Sequence, residues 1–391
     1  MDGKLDDITE NAGSKIFSPL TQINLEASAT TEVDWAASTR QSIKAVRGLM
    51  VLLVIAAHWG PFFIDHAGRL KPILDMLTNP IFRLGTPGFA LIFGLRIGFN
   101  LTSREAKSKG YIAAQMKRSL RLLGQGIIAF AVVQYFALSA EGVPAGDWPQ
   151  KAFYSVLSFY FVTAFVGPEI FPKLMRSKNA IGISLICAAM CLLTSTLLRS
   201  IWTTHAIGWL HLLQSLTLDK YGFFEMMSYV LVGFATGIWL ERSKQLHTSL
   251  QSMRIAGAGL LIAGITISIS TGMVDRWFTN WAYDPAHPML IAYIGVFFML
   301  IAVAAEANVR LGPDTLPRRS YKMLCVFGTL SLSAYVGHTL VIPLGNILAQ
   351  AGISHLAAVS IMATGFVILF SVRTYRRYQA IFVSPEAAQA E

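Results

Sequence analysis

The sequence is short of charge. Of its 391 residues only 14% are Asp, Glu, Lys or Arg, while 54% are hydrophobic, and mean hydropathy is +0.52. A soluble domain carries nearer a quarter charged residues. A water-soluble globule is therefore excluded, and an all-α polytopic membrane protein is expected. Cysteine is scarce as well. Cys187, Cys191 and Cys325 all lie in apolar runs, which leaves no disulfide framework and too few ligands for a zinc site. Neither a metal nor a permanently bound cofactor is expected. Residues 1–40 lack the apolar stretch of a cleavable signal peptide. They read as a polar, disordered cytosolic tail over 1–42, and 373–391 reads as a second, shorter tail. No repeat of 20–50 residues is apparent, nor a clear inverted repeat of the transporter kind.

What the sequence does have is long apolar runs. A membrane helix needs about 20 mostly apolar residues. That template finds ten segments, near 43–64, 79–101, 119–139, 151–171, 179–198, 222–240, 255–273, 288–307, 322–346 and 354–372. The stretch 201–218 is shorter and carries His205, His211 and Gln214. It reads as an interfacial or re-entrant piece. The net charge of +10 is then best read by position. With both termini cytosolic, most basic residues fall inside. They include Arg104, Lys107, Lys109, Lys117 and Arg118, then Arg242, Lys244 and Arg254, then Arg310, Arg318, Arg319 and Lys322, and last Arg373, Arg376 and Arg377. Counting 201–218 as a span would put the later clusters outside, against the positive-inside rule. The basic balance thus reflects topology and membrane lipids, and no nucleic-acid partner is expected. Two small-xxx-small patterns, Gly94 to Gly98 and Gly233 to Gly237, predict close helix packing.

The first apolar segment, VRGLMVLLVIAAHWG, carries two ionisable residues. Arg47 and His58 are eleven positions apart, close to three helical turns, so both project from one face with His58 about 16 Å deeper. The hydrocarbon core is about 30 Å thick. Arg47 then lies near the cytosolic edge and His58 near mid-depth. An ionisable residue at that depth is a functional hypothesis by default. Two bland readings stay open beside it: a snorkelling arginine and a histidine bonding a neighbouring helix.

VRGLMVLLVIAAH resembles the first-helix signature of the membrane-bound acyltransferase-3 superfamily, an Arg-Gly pair with ten residues between the arginine and a histidine. YIAAQMKRSLRLLG is similar to the family's inner-loop motif, an aromatic residue and then Arg-x-x-Arg, here Tyr111, Arg118 and Arg121. PGFALIFGLRIGF resembles its aromatic-rich second helix. FGTLSLSAYVGH and MSYVLVGFATG are similar to its late helices. The resemblance runs in order over about 45–370. Phe93 and Gly124 depart from it, standing where the family usually has serine and proline. The second helix also drifts toward the heparan-glucosaminide N-acetyltransferase-like relatives, which place a working histidine in the loop after the first helix. His66 is the candidate there, so the base is His58 or His66.

The resemblance implies an acyl-CoA donor, most simply acetyl-CoA, on the cytosolic side. It also implies an acceptor hydroxyl or amine, often on a glycan or glycolipid. With no eukaryotic sorting feature in the sequence, a bacterial inner membrane is the expected location. On those terms Arg47, Arg118 and Arg121 would hold the donor's phosphates, since guanidinium groups pair well with phosphate. Arg118 and Arg121 are three apart and share a helix face. A histidine suits general-base or nucleophilic acyl transfer. Arg96, Ser331 and Ser333 are possible oxyanion donors, although Arg96, like Arg83, also fits a snorkelling role. Trp277, Trp281, Tyr283 and Asp284, in VDRWFTNWAYDPAHP, suit a sugar acceptor or else an interfacial aromatic belt. Glu225 could orient a histidine, and His338 reads as a helix-to-helix hydrogen bond. The alternatives are a succinyltransferase or N-acetyltransferase of the same superfamily and, from another class, a small-molecule or lipid transporter.

Overall fold

The computed structural model describes residues 34–65, 68–102, 109–140, 156–201, 222–274, 287–312 and 315–382. Among the described residues the secondary structure is helical throughout. The long helices are α1 (Trp35–Asp65), α3 (Gly85–Thr102), α4 (Lys109–Ala140), α5 (Val156–Arg176), α6 (Ala180–Ile201), α7 (Phe223–Arg242), α8 (Leu246–Ser270), α9 (His287–Arg310), α10 (Leu316–His338) and α12 (His355–Phe382). Two shorter helices, α2 (Lys71–Phe82) and α11 (Val341–Ala349), lie between them. Each of the ten expected apolar segments is occupied by a long helix. Among the described residues, eight helical stretches are long and apolar enough to cross a membrane. The piece at 201–218 falls almost wholly outside the described residues.

Boundaries differ from the expectation in four places. α1 begins at Trp35, so 35–42 of the expected tail is helical. Its polar side chains permit this because helix carbonyls satisfy them. Thr39 Oγ1 donates to Trp35 O at 2.7 Å, Ser42 Oγ to Thr39 O at 2.8 Å, and Ser38 Oγ crosses to Ala305 O on α9 at 2.7 Å. At the other end α12 runs on to Phe382. The segment expected at 79–101 is split at Arg83 and Leu84, and that at 322–346 at Thr339 and Leu340. Pro87 and Pro343 explain both breaks. Proline clashes with the carbonyl four residues before it, which here belongs to Arg83 and to Thr339.

Glycine sets how closely the helices approach. The two small-xxx-small motifs meet each other: a methyl on Gly94 would overlap the Val230 carbonyl, and one on Gly233 would overlap that of Leu91. α3 and α7 therefore run side by side at backbone contact, as the spacing predicts. Gly48 and Gly328 do the same for α1 and α10, meeting the carbonyls of Leu324 and Lys44. With no hydrophobic force between helices in lipid, such backbone approach and its dispersion contacts hold the bundle together. α1 packs on α10, α9 and α3, which puts the face bearing Arg47 and His58 inside the protein.

Candidate active site

α1 and α10 run parallel, and Cys325 Sγ on α10 reaches Gln41 O on α1 at 3.4 Å. That register carries His338, the last residue of α10, to the level of His58. His338 Nε2 lies 3.2 Å from His58 Nδ1, and the rings meet edge-on with centroids 4.9 Å apart. The neighbouring Trp59 Nε1 donates to His338 O at 3.3 Å and locks the crossing. His338 is 1% exposed, while His58 is half-buried.

Carbonyls assign the protons. A carbonyl oxygen only accepts, so His58 Nδ1, 2.8 Å from Val54 O, carries its hydrogen. His338 Nδ1, 3.3 Å from Ala334 O, carries one as well. In a neutral imidazole the other nitrogen is then an acceptor. His338 Nε2 accordingly accepts a share of the His58 Nδ1 hydrogen, and His58 Nε2 holds the lone pair. The arrangement keeps a basic nitrogen on His58 with a neutral acceptor behind it.

Arg47 sits farther back along the same face of α1. Its guanidinium lies over the Phe89 ring of α3 at 5.5 Å. It is half-buried and makes no hydrogen bond or ion pair with any described residue. Arg96 and the Tyr160 hydroxyl are within electrostatic reach. Aromatic rings line the way from Arg47 to the histidines. Phe89 stacks on Tyr335 at 5.4 Å and meets Tyr160 edge-on at 5.3 Å, and Tyr335 meets His338 at 5.2 Å. Phe93, the departure from the family pattern, meets Tyr160 at 5.8 Å. Ser331, one face-turn set below His338 on α10, is fully buried and its Oγ has no hydrogen-bond partner. Ser333 Oγ is spent on Leu330 O at 2.9 Å.

The other expected residues are distributed differently. Arg118 and Arg121 are exposed on α4, which packs mainly against α5. Glu225 is buried at the start of α7, within electrostatic reach of Tyr229. His66, Trp277, Trp281, Tyr283 and Asp284 lie outside the described residues. Two neighbours of the site carry other roles in the sequence reading. His338 was expected only to bond another helix; it does so, and the partner is His58 itself. Its signal was the stripe Ser331, Tyr335 and His338 on one helix face. Arg96 was read mainly as a snorkelling residue.

The site thus offers a basic imidazole nitrogen and an unmatched guanidinium on one helix, joined by an aromatic lining. Such an arrangement can take an elongated ligand with an anionic end and an electrophilic end. Comparison with protein families bears on which. A family model described as an acyltransferase domain, acyltransferase 3, matches residues 40–373. No curated protein and no solved structure matches the chain.

Proposed function

The chain belongs to the acyltransferase-3 family, and on that premise we propose that it moves an acyl group, most simply acetyl, from acyl-CoA to a hydroxyl of a cell-envelope or exported glycan. The observation that carries this reading is the unmatched Arg47 guanidinium on the face of α1 that bears His58. The eleven residues between them amount to about 16 Å of rise. The pantetheine arm of CoA has about thirteen bonds from phosphate to sulfur, which at roughly 3.6 Å per three bonds extends about 16 Å. A donor gripped by its phosphates at Arg47 would therefore present its thioester at His58.

The donor enters from the cytosol in this reading. Arg254 and Arg310 both pair with Glu306 at the Arg47 end of the bundle, at 3.0 and 2.5 Å. Arg318 at that end donates to Asn308 Oδ1 at 2.6 Å. A gathering of arginines at one end suits the inner side of a cell membrane, as in a bacterial inner membrane.

The chemistry follows from the proton positions. His58 Nε2 takes the proton of the acceptor hydroxyl as its oxygen attacks the thioester carbonyl. The resulting imidazolium keeps its Nδ1 hydrogen on Val54 O and His338 Nε2. The tetrahedral intermediate collapses by breaking the carbon–sulfur bond. The thiolate recovers the proton from His58 Nε2, leaving an ester and free CoA.

The test uses detergent-purified protein, radiolabelled acetyl-CoA and glycan acceptors drawn from the envelope. CoA release and labelled glycan are followed for His58→Ala, His66→Ala and Arg47→Ala. General-base removal is expected to cost about 10²–10⁴-fold in rate for His58→Ala, with little change for His66→Ala. Turnover unaffected by all three substitutions would sink the site assignment. Absence of any CoA binding would favour a transporter.

A further inference from the structure

We propose that His355 of α12 is an acceptor-binding residue, which takes a hydrogen bond from a glycan hydroxyl other than the one acylated. The proposal rests on the glycan-acceptor reading above and gives that acceptor a second contact, on the outer side of His58.

The placement starts from α1. Phe62 follows His58 by four residues, so it stands on the same helix face one turn farther from Arg47, about 6 Å along the axis. Its ring meets that of His355 nearly at right angles, with centroids 5.0 Å apart. His355 is the first residue of α12, and α11 holds it from the side. Gly345 of α11 packs so closely on Val359 of α12 that a methyl there would overlap it. The next residue, Asn346, reaches the imidazole: its Oδ1 lies 2.6 Å from His355 Nε2. An amide oxygen only accepts, so Nε2 carries the hydrogen and Nδ1 of the neutral ring is an acceptor. His355 makes no other hydrogen bond or ion pair with any described residue.

Exposure rises along this line. His58 and Phe62 are half-buried, and His355 is exposed. The turn before α12 carries Gln350 and Ser354, which suits the water edge rather than the lipid core. The two imidazoles are alike in one respect. Each has a nitrogen tied to an oxygen of the protein and keeps a lone pair on the other. A sugar acceptor matches such a pair, because it carries hydroxyl donors across one ring and on the next, with C–H faces between them. One hydroxyl gives its hydrogen to His58 Nε2 and reacts. A second donates to His355 Nδ1, and the C–H surface between the two covers the Phe62 ring. The donor does not compete for His355, because it extends from His58 the other way, to Arg47.

The experiment separates acceptor binding from donor binding and from chemistry. Purified full-length protein is given radiolabelled acetyl-CoA and the oligosaccharide pool released from the envelope by mild acid, and CoA affinity is measured in parallel. His355→Leu is expected to raise the apparent KM for the oligosaccharide pool about 3–10-fold, the loss of one neutral hydrogen bond. The kcat and the CoA affinity should stay near wild type. His355→Asn, whose amide oxygen can accept close to the Nδ1 position, should recover part of the loss. A wild-type KM for the pool in His355→Leu overturns the proposal. Equal KM values in the two variants overturn it too, because the accepting atom then plays no part. A fall in kcat or CoA affinity as large as the rise in KM marks a structural role at the Phe62 contact and also overturns it. A wild-type protein that labels no oligosaccharide refutes the glycan reading itself, which is a distinct result.

Discussion

Replacing His338 by phenylalanine isolates what the second histidine contributes. The substitution keeps a planar ring of similar volume beside Tyr335, and it leaves the Trp59 hydrogen bond intact, because that bond ends on the backbone oxygen of residue 338. It removes the Nε2 acceptor 3.2 Å from His58 Nδ1, along with the Nδ1 hydrogen that His338 shares with Ala334 O in its own helix. The ground state loses little, since Val54 O still holds the same hydrogen at 2.8 Å. The loss falls where His58 becomes an imidazolium and the shared hydrogen carries charge. A hydrogen bond to a charged group contributes about 1.5–3 kcal/mol. At 1.36 kcal/mol per tenfold in rate, kcat should fall about 10–100-fold. KM for acetyl-CoA should move little, as His338 lies at the histidine end of the passage and Arg47 at the other. The assay is steady-state CoA release from purified protein, with CoA affinity measured in parallel. His338→Asn, whose amide oxygen can accept, should recover part of the rate. A His338→Phe protein with wild-type kcat would refute the argument that His338 supports the charged state of His58.

Other consequences concern packing and the remaining polar groups. Gly94→Leu should destabilise the α3–α7 contact by at least about 1–3 kcal/mol, as overpacking does, and lower the melting temperature in detergent; Gly259→Ala, where a methyl would meet nothing within 4 Å, should be silent. Ser331→Ala removes a buried hydroxyl that has no partner, so stability should hold or rise slightly, readable in the same thermal melt. Glu306→Gln releases Arg254 and Arg310, but both arginines are substantially exposed. The expected stability loss is therefore about 1 kcal/mol or less, readable as a small shift in a thermal melt with and without added salt.

Much of the fold was legible because lipid demands apolar length and small residues at helix contacts. Hydropathy located the ten apolar segments, and the paired glycine motifs announced a close contact, though not that they would meet each other. Hydropathy failed where helices continue on polar sequence. Ser38, Thr39 and Ser42 look like tail residues until their hydroxyls are seen bonded to carbonyls. The breaks at residues 83–84 and 339–340 could have been read from Pro87 and Pro343, but an unbroken apolar run hid them. For the site, helix periodicity alone put Arg47 and His58 on one face. It had no means of finding His338 at His58, because that pairing spans 280 residues and depends on the parallel register of α1 and α10. The nearness of Arg96 to Arg47 was hidden for the same reason: the two belong to different helices, and only the α1–α3 crossing brings them within electrostatic reach.

The most direct test of the account is the rate of acyl transfer from radiolabelled acetyl-CoA by purified His58→Gln protein, alongside its affinity for CoA. The account predicts a rate at least about 100-fold below wild type with CoA affinity unchanged, because the base is lost while the phosphate grip at Arg47 stays. Transfer at the wild-type rate would contradict it.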